Sequence, residues 1–106
     1  MTDIIEIGYK KYENLGERTI NIIPLMFNLA DLNIFEMGTP ESIKKSVAQI
    51  EQLKSDLEKG DTFPPIVVVV DDELKFVTIA DGFHRLKAYQ EIGMKITKAL
   101  YVKRID

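Results

Sequence analysis

Residues 80–93 read ADGFHRLKAYQEIG and contain the single histidine of the chain, His84, directly before Arg85 and just after Asp81 and Gly82. The apolar residues that follow recur at helical spacing, so this group falls on the first turn of a helix. The first amides of a helix have no intrahelical acceptor and stand at its positive end, so the N–H groups of Phe83, His84 and Arg85 form a corner that attracts anions. Gly82, lacking a Cβ, lets a ligand approach the backbone and tolerates unusual dihedral angles at a strand-to-helix turn. Arg85 adds a planar fork of donors matched to two phosphate oxygens. His84 adds a donor whose charge changes near neutral pH. The chemistry implied is a phosphate cradle.

Asp81 bears on this in two ways. As an N-cap its carboxylate accepts hydrogen bonds from the same amides and competes with a ligand. Turned aside, it holds a metal ion or accepts a proton from a substrate hydroxyl. The residue types fit both. The plain alternative is a turn and a cap with His84 on the surface. Three charge-assisted hydrogen bonds of about 1.5 kcal/mol each sum to roughly 4–5 kcal/mol, which is only millimolar binding. Useful affinity therefore requires the rest of a nucleotide, with a base against apolar surface, or a divalent cation.

The elements that must position this turn follow from pattern. IIEI at 4–7 is a short strand, and GYKKYENLGE at 8–17 reads as a polar turn region with a glycine near each end. RTINIIPL is β-branched and predicts a strand over 18–23 that Pro24 ends. MFNLADLNIFEMG has no clean period and reads as an irregular connection. Thr39 as cap, Pro40 at the first helical position and Glu41 at the positive end open a helix over 40–59 that Gly60 stops. Its apolar stripe of Ile43, Val47, Ile50, Leu53 and Leu57 reads as a core-facing surface. The run Ile66 to Val70 is a strand buried on both faces. A turn at 71–73 and a returning strand at 74–79 make a hairpin. In the helix after it, Phe83, Leu86, Tyr89 and Ile92 share one face while Arg85 stays in water, Gly93 ends it, and KITKALYV at 95–102 is the last strand.

A chain of 106 residues with 45% apolar and 29% charged residues has the composition of one globular domain, taken as residues 1–106. The expected architecture is α+β, a small mixed or antiparallel sheet with two main helices. The net charge of -3 opposes wholesale binding to a polyphosphate backbone. The absence of cysteine removes disulfides, thiolate metal sites and thiol chemistry. MTDIIEIGYKK is not a signal peptide, and the apolar runs are too short to span a bilayer, so a cytoplasmic location is the default expectation.

The order PPIVVVVDDELKFVTIADGFHRLKAYQEIG followed by KITKALYV resembles the ParB/sulfiredoxin superfamily. Its members share a strand hairpin, a Gly-x-x-Arg or Gly-x-His-Arg turn, a helix and a closing strand. The similarity spans roughly residues 18 to 104. Sulfiredoxins carry Gly-Cys-His-Arg and use the cysteine. Phe83 stands in that place, so the resemblance does not extend to that activity. ParB proteins carry Gly-Glu-Arg-Arg, bind CTP and append a DNA-binding region. Gly82, Arg85 and Ala88 fit that pattern, Phe83 and His84 do not, and the chain leaves no room for the DNA-binding part. ParB-like kinases of free serine carry Asp-Gly-His-His-Arg, which Asp81, Gly82, His84 and Arg85 match, with Phe83 replacing one histidine.

The resemblance implies a nucleoside tri- or diphosphate, ATP among the candidates, bound with Mg²⁺ by Gly82, Phe83, His84 and Arg85. It makes Asp81 and His84 the catalytic candidates of a ParB-like kinase or NTPase. A further acidic residue is expected after the first shared strand, where Asp31 or Glu36 could serve. The rival expectation is a non-catalytic, DNA-associated or protein-interaction module of a plasmid, phage or regulatory system. Nuclease activity is the weaker third. Exposed strand edges would allow a homodimer.

Overall fold

The strand Ile66–Val70 explains the architecture, because all five of its residues are buried. It forms β3 of a five-stranded sheet and pairs antiparallel with β4 (Phe76–Asp81) on one side and parallel with β5 (Ile96–Arg104) on the other. β5 runs antiparallel to β2 (Lys10–Asn21), which pairs with β1 (Ile4–Ile7) at the edge, giving the order β1-β2-β5-β3-β4. Among the described residues three helices accompany it: α1 (Ile22–Asn28), α2 (Pro40–Glu58) and α3 (Phe83–Glu91). The computed structural model describes residues 3–28 and 39–105. The mixed α+β expectation holds, with a third, short helix added.

Alternation along β3 divides the apolar interior. Ile66, Val68 and Val70 join Ile22, Leu25, Leu86 and Tyr89 beneath the helices. Val67 and Val69 face the other way and meet Tyr12 and Val102, with Ile5, Ile7 and Ala80 packed around them. Ile5 and Ile7 lie on one edge strand and Ala80 on the other, so the sheet curls to bring its two edges over this second cluster. Both faces of β3 are therefore dry, which is why it carries no polar residue.

Two segments differ from expectation. The polar turn read over 8–17 shrinks to Gly8 and Tyr9, and β2 already begins at Lys10. Most side chains of that stretch reach solvent, and only Tyr12 is a buried anchor, so half-wet strand looks like loop. Gly16 is a bulge glycine, with φ of 99° and its N–H donating to Asn14 Oδ1 at 2.9 Å. The strand read over 18–23 stops at Asn21, and Pro24 is the third residue of α1. In a first helical turn the missing proline N–H has no acceptor to serve, so the ring is harmless there. Residues 26–28 of the stretch read as an irregular connection belong to α1; residues 29–38, with Asp31 and Glu36, lie outside the described residues.

α2 begins as read. Thr39 is its cap, accepting from Ser42 N–H at 3.2 Å, with Pro40 first in the helix. α2 and α3 end alike: Gly60 and Gly93 take positive φ, and their amides bond back to Leu57 and Gln90 while those of Asp61 and Met94 reach Asp56 and Tyr89. The stripe on α2 is only partly core-facing, with Ile50 buried, Leu53 and Leu57 half-buried and Val47 53% exposed. β4 starts two residues later than the 74–79 reading because Asp71 organises a longer turn, its Oδ1 accepting from the Glu73 and Lys75 amides at 2.9 Å each, with Leu74 at φ 63°. As an edge strand β4 carries register shifts that leave Val77 and Ala80 unpaired, irregularities that discourage pairing with another chain. No helix among the described residues is long and apolar enough to cross a membrane.

Leu86 is fully buried where α3 meets the sheet. Leu86→Ala is expected to lower unfolding free energy in urea by about 2–5 kcal/mol; a loss below about 1 kcal/mol would mean that α3 does not seal this face.

Candidate functional site

The junction of β4 and α3 is built around an exclusion. Gly82 has φ 93° and ψ 20°, a left-handed conformation that other residues rarely adopt. Its carbonyl accepts the first helical bond, from Leu86 N–H at 2.9 Å. A Cβ at Gly82 would come within 2.9 Å of both Arg85 Nη2 and Ile66 Cγ2. The guanidinium thus occupies the space that a side chain at residue 82 would fill. No acidic residue stands in the first turn of α3, so positive charge accumulates there unopposed from within the helix.

Asp81 and Arg85 are four residues apart and share a side of the junction. Arg85 Nη2 lies 3.4 Å from Asp81 Oδ2, and Nη1 donates to the Pro64 carbonyl. The Arg85 side chain is 14% exposed, whereas Asp81 is 63% exposed. The expectation that Arg85 stays in water is thereby corrected. Its head is drawn inward by two oxygens that the fold supplies, one of them in a segment where Pro64 and Pro65 have no amide protons to build a ladder.

His84 takes a different direction. Its Nε2 lies 3.2 Å from Ser46 Oγ on α2, both residues being half-buried, and the tautomer decides which atom donates. Phe83 is half-buried at the head of the helix. The structure therefore gathers Asp81, Gly82 and Arg85 on the sheet side of the turn and directs the imidazole of His84 toward the α2–α3 seam.

Asp81 and Arg85 open onto a cleft of about 600 Å³. Val67 and Leu100 form its floor, Phe63, Pro64 and Pro65 one wall, and Glu17 its far side. A second cleft of about 690 Å³ lies beyond the same Phe63 to Pro65 segment, with Tyr89, Leu57, Met94 and Lys98 among its borders. Burial pushes the Tyr89 phenol above its ordinary pKa, with the nearby Arg85 charge opposing the rise. Among the described residues no group of three or more His, Cys, Asp or Glu side chains could hold a metal ion.

Sequence reasoning missed Glu17 and the Phe63 to Pro65 wall. In the sequence the prolines are only the residues ahead of the apolar run at 66–70, and nothing local to Glu17 says that it borders the same cleft as Asp81. No family model, curated protein or solved structure matches the chain.

Gly82 and Gly60 share φ of 93°, but a Cβ at Gly60 meets nothing within 4 Å. Gly60→Ala is expected to cost about 1–2 kcal/mol, the strain of the left-handed backbone alone. Gly82→Ala should cost at least about 1 kcal/mol more, from displaced Ile66 and Arg85. Equal losses in chemical denaturation would show that the guanidinium is not seated against Gly82.

Proposed function

We propose that the chain is a ParB/sulfiredoxin-like domain that binds the phosphates of a nucleoside di- or triphosphate, with Mg²⁺, at the turn 81–85. The observation that carries this reading is the placement of the Arg85 guanidinium against Cβ-less Gly82, at the head of α3 and at the mouth of the cleft. The guanidinium is held on its outer side by a single 3.4 Å contact to a largely exposed carboxylate. An ion pair whose carboxylate is this open to solvent is worth about 1 kcal/mol or less. A phosphate bearing close to two charges and accepting bidentate bonds outcompetes it.

The Asp81 carboxylate fits the cation as well. Mg²⁺ keeps most of its ligands as water and phosphate oxygen and needs only one or two carboxylates. Asp81 borders the cleft beside Arg85 and is the residue that would hold the ion; Glu17, three strands away, is too distant to share it. Chemistry at such a site is phosphoryl transfer or nucleotide hydrolysis, achieved by positioning and charge neutralisation, as in a kinase or NTPase. The alternative role for Asp81, with the ion held by phosphate oxygens and water alone, is to orient or deprotonate an attacking hydroxyl or water.

One observation favours a second reading. With Arg85 bonded to Pro64 and paired to Asp81, the turn is also a self-sufficient brace, as suits a non-catalytic module that binds a protein or associates with DNA.

The two readings separate in a thermal-shift series. With ATP, ADP, CTP or GTP plus Mg²⁺ at about ten times Kd, mass action adds about 1.4 kcal/mol, raising Tm by several degrees. Arg85→Ala is expected to abolish the shift relative to its own ligand-free Tm. Lys103→Ala should retain it, since Lys103 is paired with Asp72 in the turn after β3. No shift with any nucleotide at millimolar concentration contradicts the proposal and favours the brace.

A further inference from the structure

The floor of the first cleft is a single row of residues. Strand register sets Glu17 opposite Leu100, Leu100 beside Val67, and Val67 opposite Asp81, so one residue from each of β2, β5, β3 and β4 stands in line on one face of the sheet. All four border the same cleft. Adjacent strands are about 4.8 Å apart, so three steps separate the backbones of Glu17 and Asp81 by about 14 Å. The row reads acid, apolar, apolar, acid, and the Arg85 cation sits at the Asp81 end only.

The two ends of the cleft therefore ask for opposite chemistry. The Asp81 end presents a guanidinium and takes an anion. The Glu17 end presents a carboxylate, an acceptor with no proton to give when ionised. Its one ion-pair partner among the described residues is Lys98, at 3.7 Å with both side chains well exposed, a contact that a ligand donor displaces at little loss. Between the ends lie two aliphatic side chains and, along one wall, Phe63 and two prolines, which suit the faces of a flat ring.

We infer that Glu17 is the specificity-determining residue of this cleft, accepting a hydrogen bond from an exocyclic amine of the nucleobase, so that amino-bearing bases are taken and their carbonyl counterparts refused. This rests on the nucleotide reading above and sharpens it. Adenine, cytosine and guanine carry such an amine. Hypoxanthine and uracil place a carbonyl oxygen where adenine and cytosine have theirs, and that oxygen would meet the carboxylate acceptor to acceptor. A base that covers Glu17 takes water from its carboxylate, and a polar group then left unpaired rejects the wrong ligand more strongly than a missing apolar contact does.

The test is calorimetric titration of the full chain with Mg²⁺ and the paired nucleotides ATP and ITP, CTP and UTP. The amino-bearing member of at least one pair is expected to bind about tenfold or more tightly than its carbonyl partner. Glu17→Gln is expected to close that gap or reverse it, because an amide can donate to the carbonyl-bearing base, while binding through Arg85 persists. Glu17→Asp, shorter but still an acceptor, should keep the sign of the preference. Equal binding within both pairs, or a preference that Glu17→Gln leaves intact, overturns the inference and leaves the phosphate site standing. Absence of binding by all four nucleotides overturns the inference and, together with no shift from ADP or GTP, the phosphate reading as well.

Discussion

The Arg85 guanidinium and a side chain at position 82 cannot occupy the same space, and the junction is organised by that exclusion. Gly82 supplies the vacancy and the left-handed turn together, and Arg85 fills the vacancy from three residues downstream. Once there, its head reaches the Pro64 carbonyl ahead of β3 and the Asp81 carboxylate at the end of β4. One side chain thus ties the entry of the fully buried strand β3, the exit of an edge strand and the start of α3. The segment it braces is one that two consecutive prolines bar from a regular hydrogen-bonded ladder.

The same tie places a cation at the rim of an apolar cleft. Val67 and Leu100 are available as floor because β3 is dry on both faces and its second face is covered only in part by the curled edges of the sheet. Where the curl ends, near the beginning of β3, the apolar surface opens to solvent beneath Phe63 and the prolines. The site and the core are in this sense one construction. Alternation sends Ile66, Val68 and Val70 under the helices, where they hold α3 in place, and sends Val67 and Val69 to the opposite face, where Val67 meets the cleft.

What the sequence disclosed follows the reach of the forces involved. The cap at Thr39, the glycine stops at Gly60 and Gly93 and the all-apolar run of β3 are decided within about five residues, and they stand where the sequence puts them. The glycine of the turn at 81–85 was legible for the same reason, whereas the inward seat of Arg85, set in part by the distant Pro64 carbonyl, was not. Elements governed by partners far along the chain were not. β2 reads as polar loop because its strand character comes from β1 and β5 rather than from its own side chains. Pro24 looks like a stop for a strand, yet it sits in the opening of a helix whose Ile22 and Leu25 are buried in the core. Glu17 is the sharpest case. Tyr12 and Asn14 stand opposite Arg104 and Val102, so unbroken pairing would set Gly16 opposite Leu100, and only the bulge before Gly16 brings Glu17 there instead. A single extra residue decides whether the cleft has an acid at its far end, and no local pattern announces it.

The central claim is that Arg85, seated against Gly82, exchanges its Asp81 partner for an external phosphate. Nuclear magnetic resonance of the Arg85 side-chain Nε–H and the amides of residues 82–85, followed while Mg²⁺ and a nucleoside triphosphate are added to about millimolar concentration, observes that exchange directly. The account predicts saturable shifts at these groups, with matching movement at Asp81 as its carboxylate loses its donor. Signals at Arg85 and Gly82 that stay fixed throughout the titration would contradict it and would leave the guanidinium as a brace alone.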